Sequence, residues 1–200
     1  MTLKHFLPLV LIIGIAYWIF SSSSPLPLAI IFAVVIHEVG HYLFSLINNS
    51  KLKSFKIRAC GFSLGGSRLG SSYLSEASIA FGGPLFSLLS SLIASLGTSP
   101  AMLLFGEVSL AFGVFNLLPI DGFDGEKILR CLLLSFLSIK PATIICECAS
   151  FLSAFFVWCI SVYQMIRSGR EVTFFIFSAI TFFGLFLKAP KERICEIIKE

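Results

Sequence analysis

Residues 26–47 read LPLAIIFAVVIHEVGHYLFSLI, and this stretch decides how the chain must be read. It is long and apolar enough to cross a hydrocarbon core of about 30 Å as a helix. Yet its second half carries HEVGH: His37, Glu38, Val39, Gly40 and His41. A charged side chain at the centre of a membrane helix costs about 2.5–3.5 kcal/mol even on the lenient insertion scale. Three polar side chains placed there together need a purpose. Residues i and i+4 of a helix lie about 40° apart around the axis and one turn apart along it. His37 and His41 can therefore direct two imidazoles at one metal ion. Glu38 lies beside them, placed to act as general base toward a water at that metal. This is the two-ligands-plus-base pattern of zinc hydrolases, and a shared metal ion also explains how the polar groups tolerate burial.

The composition places the stretch in its class. Of 200 residues, 56% are hydrophobic and 13% charged, the mean hydropathy is +0.94, and there are 22 phenylalanines. Soluble domains average about 45–50% apolar and about 25% charged residues. The chain therefore reads as a polytopic, all-α membrane protein forming a single unit over residues 1–200. The longest polar stretch, residues 48–76, is too short for a soluble domain. The net charge of +4 is spread over loops and reads as topology, with no nucleic-acid partner expected. Cysteines 60, 131, 146, 148, 159 and 195 show no Cys-x-x-Cys spacing. They read as small buried hydrophobes, with neither a disulfide framework nor a zinc ribbon indicated.

Six spans are expected, over residues 6–20, 26–47, 77–97, 101–118, 144–165 and 172–187; the first and last are short and call for tilt or bilayer thinning. Residues 1–24 resemble a signal peptide in outline, but Trp18 and Phe20 stand where a cleavage site wants small residues, which favours an uncleaved helix. With a cytoplasmic N-terminus and six alternating spans, Lys4, the 51–68 cluster, Lys127, Arg130, Lys140 and the four basic residues of 188–199 all fall on the cytoplasmic side. Only Arg167 and Arg170 fall opposite. The positive-inside rule thus puts both termini in the cytoplasm of a multi-pass cell-membrane protein. HEVGH lies within the membrane, nearer its cytoplasmic face.

A catalytic zinc site needs a third protein ligand and an open position. His5, the remaining histidine, sits near the N-terminus on another span. The stretch FNLLPIDGFDG, residues 115–125, is the stronger source. Pro119 lacks an N–H and disfavours helix at Leu118, so the fourth span should end there. Gly122 and Gly125 permit tight turns around Asp124. Unwound backbone at membrane depth is tolerated only where it is buried in protein or lines a wet cavity, which suits a chain bending toward a metal. Asp121 and Asp124 compete for the ligand role. Both follow Pro119 and both precede a glycine; the longer stretch of chain beyond the proline favours Asp124.

These motifs together resemble the site-2 protease family of intramembrane zinc metalloproteases. Its members pair HExxH with Asn-x-x-Pro and then Asp-Gly, the aspartate eight residues after the asparagine. Here those positions are Asn116, Pro119, Asp124 and Gly125. AFGGPLFS at 80–87 is similar to the family's Gly-Pro helix. The resemblance covers about residues 26–135 and is greatest to the short six-helix form that includes sporulation-factor-processing proteases. It implies one zinc ion held by His37, His41 and Asp124, with Glu38 as the catalytic base. It also implies that Asn116 holds substrate backbone or steadies the oxyanion. Ser87 stands where the family often has asparagine, Phe123 where leucine is usual, and Glu126 where a second glycine is common.

The implied activity is cleavage of a transmembrane or membrane-proximal protein segment. The expected partners are that substrate and the bilayer, with room for a regulatory membrane protein. Two other classes compete: a multi-pass metal or proton transporter using the same polar residues, and a catalytically inactive homologue that binds membrane proteins. In the 51–66 loop, Phe55, Ile57 and Ala59 alternate with Lys56, Arg58 and Cys60. That alternation predicts a short strand and turn, which serves either as an edge for an extended substrate or as an amphipathic loop on the headgroups. Glu107 and Glu147 fall in expected spans and carry no assigned catalytic role.

Overall fold

The computed structural model describes residues 24–48, 55–58, 61–64, 72–168 and 172–187. Among them are six helices: α1 (Leu26–Ile47), α2 (Tyr73–Ser95), α3 (Pro100–Leu117), α4 (Asp124–Leu134), α5 (Ile139–Ser168) and α6 (Val172–Leu187). Between α1 and α2, β1 (Phe55–Arg58) runs antiparallel to β2 (Gly61–Leu64), with Phe55 opposite Leu64 and Arg58 opposite Gly61. Helices α1, α2, α3 and α5 are each long and apolar enough to cross a membrane; α6 is a shorter apolar helix. The expected span at 6–20 and His5 lie outside the described residues.

The helix boundaries follow local chemistry. Proline occupies the first turn of both α1 and α3, where its missing N–H has no intrahelical partner to lose. The Ser72 side chain caps α2, accepting from the Leu74 N–H, and Glu76 places a carboxylate in the positive first turn. Asn48, at the end of α1, donates to the Phe44 carbonyl and to Ser78 Oγ, which ties that end to α2. α5 extends past the apolar window 144–165 at both ends; its early start is compatible with Pro141, which sits in the first turn, where proline is tolerated.

Side chains are sorted in the opposite sense from a soluble protein. Phe32, Ile93 and Ile166 are 58%, 62% and 78% exposed, whereas Ala33, Ala94, Ala142, Ser109 and Ser161 are buried. Lipid solvates large apolar groups as well as a protein interior does, so small residues concentrate where helices approach closely. The tightest approach joins α1 to α2. A Cβ on Gly40 would fall on the Gly82 carbonyl, and one on Gly82 would lie 2.6 Å from the Gly40 carbonyl oxygen. Helix α2 packs on α1, α3 and α4, which makes it the central element of the site-bearing half, and α5 pairs with α6.

The segment joining α3 to α4 connects these two halves. α3 ends at Leu117, and Leu118 is extended at φ −65° and ψ 136°, as the residue before a proline requires. Ile120 is buried in the cluster with Ala154 of α5 and Phe182 of α6, and the Asp121 N–H donates to Ser150 Oγ. The Phe123 N–H returns to the Ile120 carbonyl with Gly122 at φ +95°, the pattern of a type II turn. That turn delivers Asp124 as the first residue of α4. α4 lies outside the six spans read from hydropathy. Its amphipathic eleven residues are too short to cross a bilayer, so only packing against α2 and α5 places them.

Candidate metal centre

His37 and His41 project from one face of α1, and the α3–α4 turn brings Asp124 to them. Asp124 Oδ2 lies 3.0 Å from His37 Nε2 and 3.0 Å from His41 Nε2, and the two Nε2 atoms are 3.1 Å apart. All three residues are buried, and among the described residues they form the one His, Cys, Asp and Glu group able to hold a metal ion. Asp121 is not part of it, nor are Glu107 and Glu147.

The chemistry of the donor set fits a metal. His41 Nδ1 is 2.8 Å from the Ile79 carbonyl, which can only accept, so Nδ1 carries the proton. In a neutral His41 the Nε2 lone pair then faces a carboxylate oxygen 3.0 Å away. Two lone pairs at that distance repel, and a cation between them reverses the sign. The triangle also has nearly the right size: bonds of about 2.05 Å in a tetrahedral zinc site place neighbouring ligand atoms about 3.3 Å apart. His37 is held in the same way from behind, its Nδ1 3.0 Å from Ser87 Oγ and its ring edge-on to Phe112 at a centroid distance of 4.8 Å. Metal-binding imidazoles are regularly oriented through the far nitrogen.

Helix α2 is the floor of the site. Pro84 leaves the Ala80 carbonyl without its helical N–H donor, and the turn before it offers the Ile79 carbonyl to His41. A Cβ on Gly83 would lie 2.7 Å from His37 Nε2 and would overlap His41 Nε2. The Gly-Gly-Pro sequence therefore serves two contacts at once: Gly82 admits α1, and Gly83 leaves room for the imidazoles. Ser87, Ile79 and Gly83 were not legible as site residues. The sequence signals were the Gly-Pro pattern and the place of Ser87 at a family asparagine position, neither of which revealed what it faces.

Asp124 Oδ1 points the other way and accepts from Lys127 Nζ at 2.7 Å. Next along α4, Glu126 is buried and ion-paired with Arg130, with a 2.7 Å hydrogen bond from Arg130 Nε. Burial raises the Glu126 carboxyl, and the Arg130 charge only partly offsets it.

Glu38 is half-buried beside the three donors, and no described group hydrogen-bonds to its carboxylate. Asn116 is not brought into the donor group; its side-chain amide donates to the Phe112 carbonyl of its own helix at 2.9 Å. One of its two N–H donors is thereby engaged.

No protein-family model matches the chain, and no curated protein matches it by sequence. Among solved structures it is similar to the site-2 protease from Methanocaldococcus jannaschii, with 21% sequence identity and a TM-score of 0.56 over 91% of this chain and 86% of that one. Identity that low speaks to architecture, and in architecture the chain has a site-2-protease-like fold.

Proposed function

We propose that the chain is an intramembrane zinc metalloprotease that cleaves a transmembrane or membrane-proximal segment of a protein substrate. One observation carries this reading. His37 and His41, a turn apart on an apolar helix, meet an aspartate from 87 and 83 residues away, with the carboxylate of Glu38 left without a hydrogen-bond partner among the described residues. In this reading His37 Nε2, His41 Nε2 and Asp124 hold one zinc ion. Bound there, zinc supplies Lewis acidity that polarises a peptide carbonyl and acidifies water. Glu38 takes the proton of the attacking water and passes it to the leaving amine. The Ile79 carbonyl keeps His41 in the tautomer that turns Nε2 toward the ion, and Ser87 Oγ holds the His37 ring through Nδ1. Asn116, by family resemblance, keeps one amide donor for substrate backbone or the oxyanion.

A helical substrate has every backbone group paired, so it must unwind locally before a scissile carbonyl becomes accessible. Substrates with helix-weakening residues near the cytoplasmic interface are therefore preferred, given the orientation drawn from the basic residues. The catalytic core spans about residues 26–135 of one membrane domain, with both termini cytoplasmic, and a regulatory membrane partner is compatible with this arrangement.

The test is Glu38→Gln, which keeps the size of the side chain and removes its basicity. The purified variant should hold zinc as the wild type does and lose cleavage of a reconstituted membrane substrate by at least ~10²-fold. Undiminished cleavage would remove Glu38 from the mechanism and the metalloprotease reading with it.

A further inference from the structure

Asp124 gives its two oxygens to different partners. Oδ2 alone meets both imidazoles at 3.0 Å, while Oδ1 is 2.7 Å from Lys127 Nζ. Lys127 lies three residues further along α4, so one helical turn brings its ammonium over the carboxylate. The pair is asymmetric in burial: the Asp124 side chain is 6% exposed and that of Lys127 is 48% exposed. An exposed pair at this spacing is worth only a few tenths of a kcal/mol. Here one member is desolvated and belongs to the donor group, so the orientation of the carboxylate matters more than the energy of the pair.

The Asp124 backbone is set by the type II turn and the first turn of α4. What remains soft is the terminal carboxylate torsion, which has broad rather than staggered minima. Rotation about it would present both oxygens to an ion at the site. A second oxygen would fill a coordination position that a hydrolytic metal must keep for water or substrate. It would also add a second donor atom to the ion and weaken it as a Lewis acid. The Lys127 contact opposes that rotation, because turning Oδ1 inward would break its 2.7 Å charge-assisted hydrogen bond to the ammonium.

We propose that Lys127 is a positioning residue: by holding Oδ1 it makes Asp124 a one-oxygen ligand and keeps the metal site open. The inference rests on the metal reading of His37, His41 and Asp124. A solvated surface lysine would have no such effect, and a lysine needed only for folding would alter helix content and ion uptake instead of coordination.

The experiment compares wild type, Lys127→Met and Lys127→Arg, each purified in detergent, loaded with Co2+ and examined by visible absorption, with bound ion counted and cleavage measured. Wild type and Lys127→Arg should show the intense bands of four-coordinate cobalt. Lys127→Met should still bind one ion per chain, with bands at least about two-fold weaker, as the coordination number rises. Its kcat should fall about 10–100-fold with a smaller change in KM. Lys127→Gln serves for the same comparison if the methionine variant does not fold. A spectrum and kcat unchanged from wild type would overturn the proposal alone, as would complete loss of the ion from a folded Lys127→Met protein. Failure of the wild type to take up cobalt or zinc would overturn the metal reading as well.

Discussion

Gly83→Ala is the most searching perturbation of the site, because it adds one methyl group where α2 meets the imidazoles. The new carbon would stand 2.6 Å from His41 Cε1 and 2.7 Å from His37 Nε2, with His41 Nε2 nearer still. Non-bonded heavy atoms settle at about 3.5 Å or more, so the His37 ring would have to withdraw by about 0.8 Å and the His41 ring by more. Zinc–ligand distances tolerate about 0.2 Å. Neither ring can swing aside freely, since His37 is held through Ser87 and His41 through the Ile79 carbonyl. Zinc affinity should therefore fall at least ~10²-fold, the upper end of the range for disturbed support of metal ligands. The clash is with side-chain ends, so the helices should survive, and alanine adds helix propensity of about 1 kcal/mol. Gly40→Ala and Gly82→Ala differ in kind: their methyl groups would meet backbone of the facing helix, and both should destabilise the whole protein. Gly184→Ala, with nothing within 4 Å, is the neutral control. Competition with a chromophoric zinc chelator measures affinity, and circular dichroism measures folding. A folded Gly83→Ala protein with wild-type zinc affinity would refute the account of the site.

Three further outcomes follow from the same geometry. Asp124→Asn should lower zinc occupancy and abolish cleavage, whereas Asp121→Asn should retain zinc and most activity; the reverse pattern in zinc analysis would reassign the ligand. Ser87→Ala removes the group behind His37 Nδ1 and should weaken zinc binding about 10-fold with the fold intact, read by the same chelator competition. Reporter fusions at residues 60 and 168 should lie on opposite faces of the membrane, and finding both on one face would overturn the alternating topology drawn from the basic residues.

The sequence by itself determined those features whose causes are local. A mostly apolar stretch of 22 residues, its one proline in the first turn, makes a membrane helix, and α1 runs from Leu26 to Ile47, the stretch read from the sequence. The i, i+4 spacing puts His37 and His41 on one face of that helix however its neighbours pack. Pro119 ended α3 because a missing N–H and a steric restriction act on the adjacent residues. Where local chemistry is symmetrical, the sequence was silent. Asp121 and Asp124 share the same neighbours in kind, and chain length and family spacing chose between them without showing how the choice is enforced. The tertiary structure brings Asp124 to the imidazoles by anchoring Ile120 between α5 and α6 and the Asp121 N–H on Ser150, so that Asp124 opens α4 against them. Only the fold revealed that α4 is a helix, that Ser87 and the Ile79 carbonyl hold the histidines, and that Gly83 must lack a side chain. Those contacts join residues 38 to 50 positions apart, and hydropathy and spacing carry no information about which face of α2 meets which face of α1. That pairing is set by shape, where Gly40 and Gly82 let two backbones touch, and shape arises only once the helices have packed.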